Sequence, residues 1–217
     1  MIAISSHRPH SKSDEYAKNQ IRAKASWDHL FDRIYYFGEY EAELASDNTQ
    51  FIHSQPWPSI REMAEFAAEQ DTDYSVIINA DIVLTDKFAD IVRVMNRTDM
   101  YGATTRRRDL DTGELGEDRG RDVWVLRPAW WKRVAKKVPR SCRIGHNQWD
   151  TWMFGFMRYE AGYKFGEFTN VPCVFHPKHD GRNQPFVGEV NIKDKYENFY
   201  KQPDTIITID PLKQTFA

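Results

Sequence analysis

Tyr74-Ser-Val-Ile-Ile-Asn-Ala-Asp-Ile-Val-Leu84 is the stretch on which the fold turns. Ser75 to Ile78 is a short, largely β-branched apolar run. Its length and composition suit a strand buried on both faces of an α/β sheet. The run breaks at Asn79-Ala80-Asp81 and resumes as Ile82-Val83-Leu84. A carboxylate placed where a buried strand ends is costly without a partner, and a metal ion is one such partner. Ligands of open α/β sheets also collect beyond the carboxyl ends of the strands. The plainer reading is that Asn79 and Asp81 cap a turn, as these residue types often do.

Working back from this stretch, Ser59 followed by Glu62 forms a capping box at the start of a helix. Ile60, Met63, Ala64, Ala67 and Ala68 line one face of that helix, and Pro56-Trp57-Pro58 is a rigid connector before it. Gln50 to His53 and Asp32 to Gly38 read as strands. Ser13, with Asp14 and Glu15 behind it, starts a helix carrying Tyr16, Ile21, Ala25 and Trp27. Met1 to Ser5 is a first strand. It opens into the polar loop Ser6-His7-Arg8-Pro9-His10-Ser11, where His7 and His10 are expected to be exposed.

Working forward, Phe88 to Met95 is a short helix and Met100 to Thr105 a strand leading into Arg106-Arg107-Arg108. Asp109 to Asp122 reads as one long polar loop, and loops of that length are usually functional or mobile. Val123 to Leu126 is a strand, and Pro128 opens a helix with Trp130, Trp131 and Val134. A helix runs from Gln148 to about Arg158. Val171 to Phe175 is a late strand, followed by the polar cluster His176 to Arg182. Thr205 to Ile209 is an edge strand. The alternation of strands and helices predicts an α/β nucleotide-binding fold with a mixed, mainly parallel sheet flanked by helices. Neither a repeat nor a linker divides it, so one domain is expected.

Seven Trp and ten Tyr are many for 217 residues. Core packing is the commoner use of such residues, and it is the expected one for the Trp130/Trp131 and Trp149/Trp152 pairs, except that Trp149 adjoins Asp150; sugar or base stacking is the other. A formal net charge of −2 gives no global drive toward nucleic acid or anionic membrane. Charge is segregated, however: Arg106 to Arg143 holds 12 Lys and Arg against 6 Asp and Glu. That patch could follow a phosphate backbone, or be a solvated face with a few arginines gripping a diphosphate. No apolar run approaches the roughly 20 residues that span a bilayer. Without a visible signal peptide, and with Cys142 and Cys173 the two cysteines, a reducing cytoplasm is the expected compartment.

Asp81, Asp150 and His176/His179 each follow a predicted strand or open a helix, and such positions can gather at one rim of a sheet. These residue types suit metal-assisted chemistry on a phosphorylated substrate, with a separate carboxylate as base. The order of elements over residues 1 to about 180 resembles a small GT-A-type glycosyltransferase, which transfers a sugar from a nucleotide-sugar. Asn79-Ala80-Asp81 is similar to a reduced form of that family's Asp-x-Asp motif, with Asn at the first position. The resemblance implies that Asp81, completed by His176 or His179, binds a divalent metal (Mn2+ or Mg2+) holding the donor diphosphate. It implies that Asp150 is the catalytic base of an inverting reaction. Ser5, Ser6 and Arg8, with Asn79 and Ala80, fall where such enzymes hold the donor nucleotide, a UDP-sugar being the first expectation. Trp149 and Arg106 to Arg108 are placed on the acceptor side, so that about 1–105 is the donor-binding half and about 106–217 the acceptor and catalytic half.

A cytoplasmic acceptor is consistent with one group of this type, the phage enzymes that glycosylate hydroxymethylated pyrimidines in DNA. There the target base must be flipped out of the stack to reach Asp150. A glycan or small molecule is the other acceptor class. Two rivals stand beside this reading. A nucleotidyltransferase shares the alternation and the acidic strand end, but usually carries a glycine-rich loop where this chain has Ser-Ser-His-Arg-Pro-His-Ser. A non-catalytic nucleotide- or nucleic-acid-binding module would use the Arg106 to Arg143 patch. Cys173, His176 and His179 as a zinc site lack a fourth ligand at matching spacing.

Overall fold

The computed structural model describes residues 1–7, 9–10, 13–54, 58–115, 120–144, 149–168, 170–178 and 207–208. Among the described residues, eleven strands and five α-helices follow one another: β1 (Ile2–Ser6), α1 (Asp14–Trp27), β2 (Arg33–Phe37), β3 (Thr49–Ile52), α2 (Ile60–Ala68), β4 (Ser75–Ile78), β5 (Val83–Leu84), α3 (Phe88–Arg97), β6 (Gly102–Thr104), β7 (Arg108–Asp109), β8 (Val123–Leu126), α4 (Pro128–Val134), α5 (Trp149–Ala161), β9 (Phe165–Glu167), β10 (Val174–His176) and β11 (Ile207–Thr208).

The main sheet has the order β3-β2-β1-β4-β8-β6-β9-β11. All its described pairings are parallel except those of β8, which runs against both β4 and β6. A smaller sheet, β5-β10-β7, lies beside it. Residues alternate between two cores. Ile4, Ile77, Trp124 and Leu126 face α2, α4 and α5. Ala3, Val76, Ile78, Val123 and Val125 face α1, α3 and the small sheet. With both faces covered, the central strands read as continuous apolar runs instead of an apolar-polar alternation.

Local signals hold where they are strong. Ser13 caps α1 through the backbone N–H of Tyr16. The Ser59 hydroxyl accepts from the Glu62 N–H at 3.2 Å, and the Glu62 carboxylate accepts from the Ser59 N–H at 2.7 Å, completing the expected box. Pro128 sits in the first turn of α4, where its missing N–H costs nothing.

Two expectations are corrected, and a third gains detail. Asp109 ends β7, and the described residues 110–115 of the polar loop after it fold back, the Asp109 carboxylate accepting from the Asp111 and Thr112 N–H groups. Phe165–Glu167 is a strand, missed because a three-residue run containing a glycine has no readable period. His7 and His10 are not exposed: His7 is buried edge-on between Tyr36 and Phe51, and the His10 side chain is only 10% exposed. The ring of His7 fits because Gly38 has positive φ and no Cβ, which would stand 2.6 Å from the imidazole Cε1.

Candidate active site

Because β8 is antiparallel, Ile78 at the end of β4 stands opposite Val123 at the start of β8. The chain leaving one strand therefore meets the chain entering the other. The Asn79 backbone N–H donates to the Asp122 carbonyl at 3.0 Å, and the Asn79 side-chain amide donates to Asp122 Oδ1 at 3.3 Å. Asp122 Oδ2 accepts from Arg107 Nη1 at 2.6 Å, a charge-assisted bond to a carboxylate that is nearly all buried. This explains the residue at position 79. An amide can donate to Asp122, whereas a second carboxylate there would repel it.

The Asn79 carbonyl accepts from the Ile82 N–H at 3.2 Å, so the turn reading of this stretch is also correct. Beyond the turn, β5 pairs antiparallel with β10, and this carries His176 back to Asp81. His176 Nε2 and Asp81 Oδ2 are 3.5 Å apart, with both side chains about 15% exposed or less. Burial disfavours the imidazolium, but the Asp81 and Asp122 carboxylates outweigh it and hold the His176 pKa above its ordinary value. A separation of 3.5 Å is long for a hydrogen bond. It lies near the roughly 3 to 3.5 Å that separates two ligands of one metal bound at about 2.1 Å. One carboxylate and one imidazole therefore fit a shared divalent cation. They suit Mn2+ better than the harder Mg2+, which prefers all-oxygen shells.

Asp150 lies in the first turn of α5, and its Oδ2 accepts from the Arg121 N–H at 3.2 Å. Burial and then the charge of Asp122 push its carboxyl up to about 6, against the pull of the Arg121 and Thr151 N–H groups and Arg107. A first-turn acid held only by the helix dipole would be made more acidic, not less. Asp122 thus sits at the hub, bonded to Asn79 and Arg107 and electrostatically felt by both Asp150 and His176.

The remaining expected residues are dispersed. Ser5 is fully buried, and its hydroxyl donates to the Ile78 carbonyl at 2.6 Å, tying β1 to β4. Ser6 is half-buried at the end of β1, and Ala80 is buried in the turn. Trp149 is 3% exposed and edge-on to Trp124, so it joins the core and presents no stacking face. The arginine triplet is split: Arg106 is half-buried, Arg107 holds Asp122, and Arg108 donates to the Gly113 carbonyl at 3.0 Å. Arg8 and His179 lie outside the described residues. Burial pushes the Cys173 thiol up to about 12, so without a metal it stays protonated. Among the described residues, three ligand-type side chains come within 4.8 Å of one another only at His10, Glu41 and Glu43.

Sequence reasoning missed Asp122 and the buried pair of Arg121 with Glu167, whose Nη2 and Oε1 are 2.9 Å apart. The Arg121 guanidinium also lies 3.7 Å from the centre of the Phe154 ring. The available signal was Asp122 abutting the apolar run Val123 to Leu126, a mirror image of Asp81 after β4.

No protein-family model matches the chain, and no curated protein sequence matches it. Among solved structures, S. aureus TarS residues 1–349 in complex with UDP-GlcNAc superposes with a TM-score of 0.52 at 6% identity, covering 85% of this chain and 61% of that one. The chain thus spans less than two thirds of that protein's length. The glycosyltransferase GlyE of Streptococcus pneumoniae gives a TM-score of 0.47 at 10% identity, covering 92% of this chain and 60% of that one. The Francisella tularensis 2-C-methyl-D-erythritol 4-phosphate cytidylyltransferase gives 0.43 at 11% identity, covering 63% and 76%. The chain has a GT-A-type fold. At these identities the likeness is one of fold, and the chemistry has to come from the rim of the GT-A-type sheet itself.

Proposed function

We propose that the chain is a metal-dependent glycosyltransferase, moving a sugar from a nucleotide-sugar, in the first instance a UDP-sugar, to an acceptor hydroxyl. One observation carries this. The carboxyl rim of the sheet brings together an Asp81–His176 pair spaced like metal ligands and an Asp150 carboxyl whose proton affinity lies close to neutrality. The described fold is one on which a UDP-sugar is bound in TarS.

Asp81 and His176 would hold the cation, and its charge would help neutralise a departing diphosphate. Arg107, half-withdrawn from solvent and fixed by Asp122, adds a positive group at the same rim. Asp150 accepts the proton of the acceptor hydroxyl, and a base with a pKa near the working pH combines availability with driving force. Asn79 orients the turn by its two bonds to Asp122. Residues up to about 105 form the donor half and later residues the acceptor and catalytic half, from which His176 and Arg107 reach back to the donor side.

The test is thermal melting against UDP-, GDP-, CMP- and dTDP-sugars with and without Mn2+, followed by a transfer assay. A ligand bound only by the native state raises the melting temperature by mass action. The expected result is a rise that needs one nucleotide-sugar together with Mn2+ and is lost in Asp81→Ala. Asp150→Asn should keep that rise and lose transfer. Near-full turnover in Asp150→Asn removes the base assignment. A rise with a free nucleoside triphosphate and with no sugar donor would make the chain a nucleotidyltransferase.

A further inference from the structure

Val123 to Trp149 contains seven Lys and Arg and not one Asp or Glu, in a chain whose net charge is −2. The fold turns most of these cations to one side. α4 and the turn after it bury Trp130, Trp131, Val134, Ala135 and Val138 in the core shared with α2. Lys132, Arg133, Lys136, Lys137 and Arg140 are left exposed. Lys137 pairs with Glu160 at 2.6 Å, and the Arg133 guanidinium lies 5.0 Å from the Trp130 ring centre. Among the described residues no carboxylate pairs with Lys132, Lys136 or Arg140. The nearest helix does not offset them. On α2, Glu62 is held in the capping box and Glu65 pairs with Arg61 at 3.0 Å, while Glu69 lies at the far end.

The position of this face matters as much as its charge. The Ile60 N–H donates to the Cys142 carbonyl at 2.8 Å, and Ser59 bridges Arg143, so the basic turn ends at the start of α2. That start follows the carboxyl end of β3, on the rim where Asp81, Asp122 and Asp150 gather. We propose that the face formed by Lys132, Arg133, Lys136 and Arg140 docks the phosphodiester backbone of a nucleic acid beside that rim. That the docked strand also supplies the acceptor hydroxyl rests on the transferase reading.

Phosphates fit this face better than a lipid surface does. Basic elements that bind membranes pair their cations with apolar side chains that enter the interface. Here Trp130 and Trp131 are buried, and the exposed large hydrophobics among the described residues are Ile21, Tyr40, Leu115 and Tyr159, none of them on α4 or in the turn after it. Unpaired surface cations without an apolar stripe give salt-dependent, sequence-independent binding to a polyanion.

The experiment is fluorescence anisotropy of the full chain with a labelled DNA oligonucleotide, single-stranded and duplex, across a salt series and without sugar donor or metal. With four phosphate contacts, affinity should fall about 150-fold between about 50 and about 200 mM salt. Charge reversal at exposed positions, K136E with R140E, should weaken binding at least about tenfold and lessen the log-log salt slope by about 2. Lys18→Glu, on α1 across the sheet, serves as the control and should change neither. No DNA binding by the wild-type chain at low salt overturns the proposal, as does an unchanged affinity and slope in the double variant. Binding to phosphatidylserine vesicles in place of DNA overturns it as well. Binding is read without donor, so loss of the transferase reading would show in the melting assay while leaving this result intact.

Discussion

In the proposed transferase Asp150 is the base, and its environment gives predictions with a definite sign. Its folded pKa is raised above the unfolded value of about 3.9. The fold therefore carries a cost that is absent below about pH 4, builds up as pH rises toward 6, and is constant above. Asp150→Asn keeps an acceptor for the Arg121 N–H and removes that cost. The variant is expected to be more stable than wild type at pH 7.5, by on the order of 1–3 kcal/mol, with the gain gone at pH 4. Urea unfolding at the two pH values checks this. In transfer, the base works deprotonated, so kcat/KM should rise with pH through about 6. Asp122→Asn removes the neighbouring charge that helps raise Asp150, and the acidic limb of the profile should move to lower pH. A limb that stays in place would mean that burial alone sets the base.

At the scale of elements, two structural devices hold the rim in place. The Ser59–Glu62 box fixes the start of α2, against which the turn at Cys142 and Arg143 is hydrogen-bonded. Ser59→Ala should cost about 1 kcal/mol in urea unfolding, the usual worth of an N-cap. Such local devices were legible in the sequence because each acts over three or four residues. Ser13, Ser59, Pro128 and the Ser75 to Ile78 run were all read correctly for that reason. β9 was not legible, and neither was the true place of His176. The polar cluster expected after a strand begins in fact within β10, and only its pairing with β5 and β7 shows this.

At the scale of the whole molecule, the buried Arg121–Glu167 pair joins the chain entering β8 to β9, two strands away across the sheet. Both side chains are about 6% exposed or less, and Arg121 also covers Phe154. Arg121→Met should therefore destabilise by about 3–5 kcal/mol, because Glu167 keeps a buried charge with its strongest partner gone. Arg121→Met with Glu167→Leu should recover most of that loss, and the double variant's melting temperature reads it directly.

The sequence alone determined the α/β class, the buried central strand, the capped helices and the candidacy of Asp81 and Asp150. These rest on short-range periodicity and on the cost of placing a carboxylate at a strand end. Tertiary structure decided the rest. The reversed direction of β8 brought Asp122 to Asn79, and the small sheet returned His176 to Asp81. Packing took His7 into the core. Strand direction and sheet order are set by contacts between residues far apart in the chain, and no local pattern of residues encodes them.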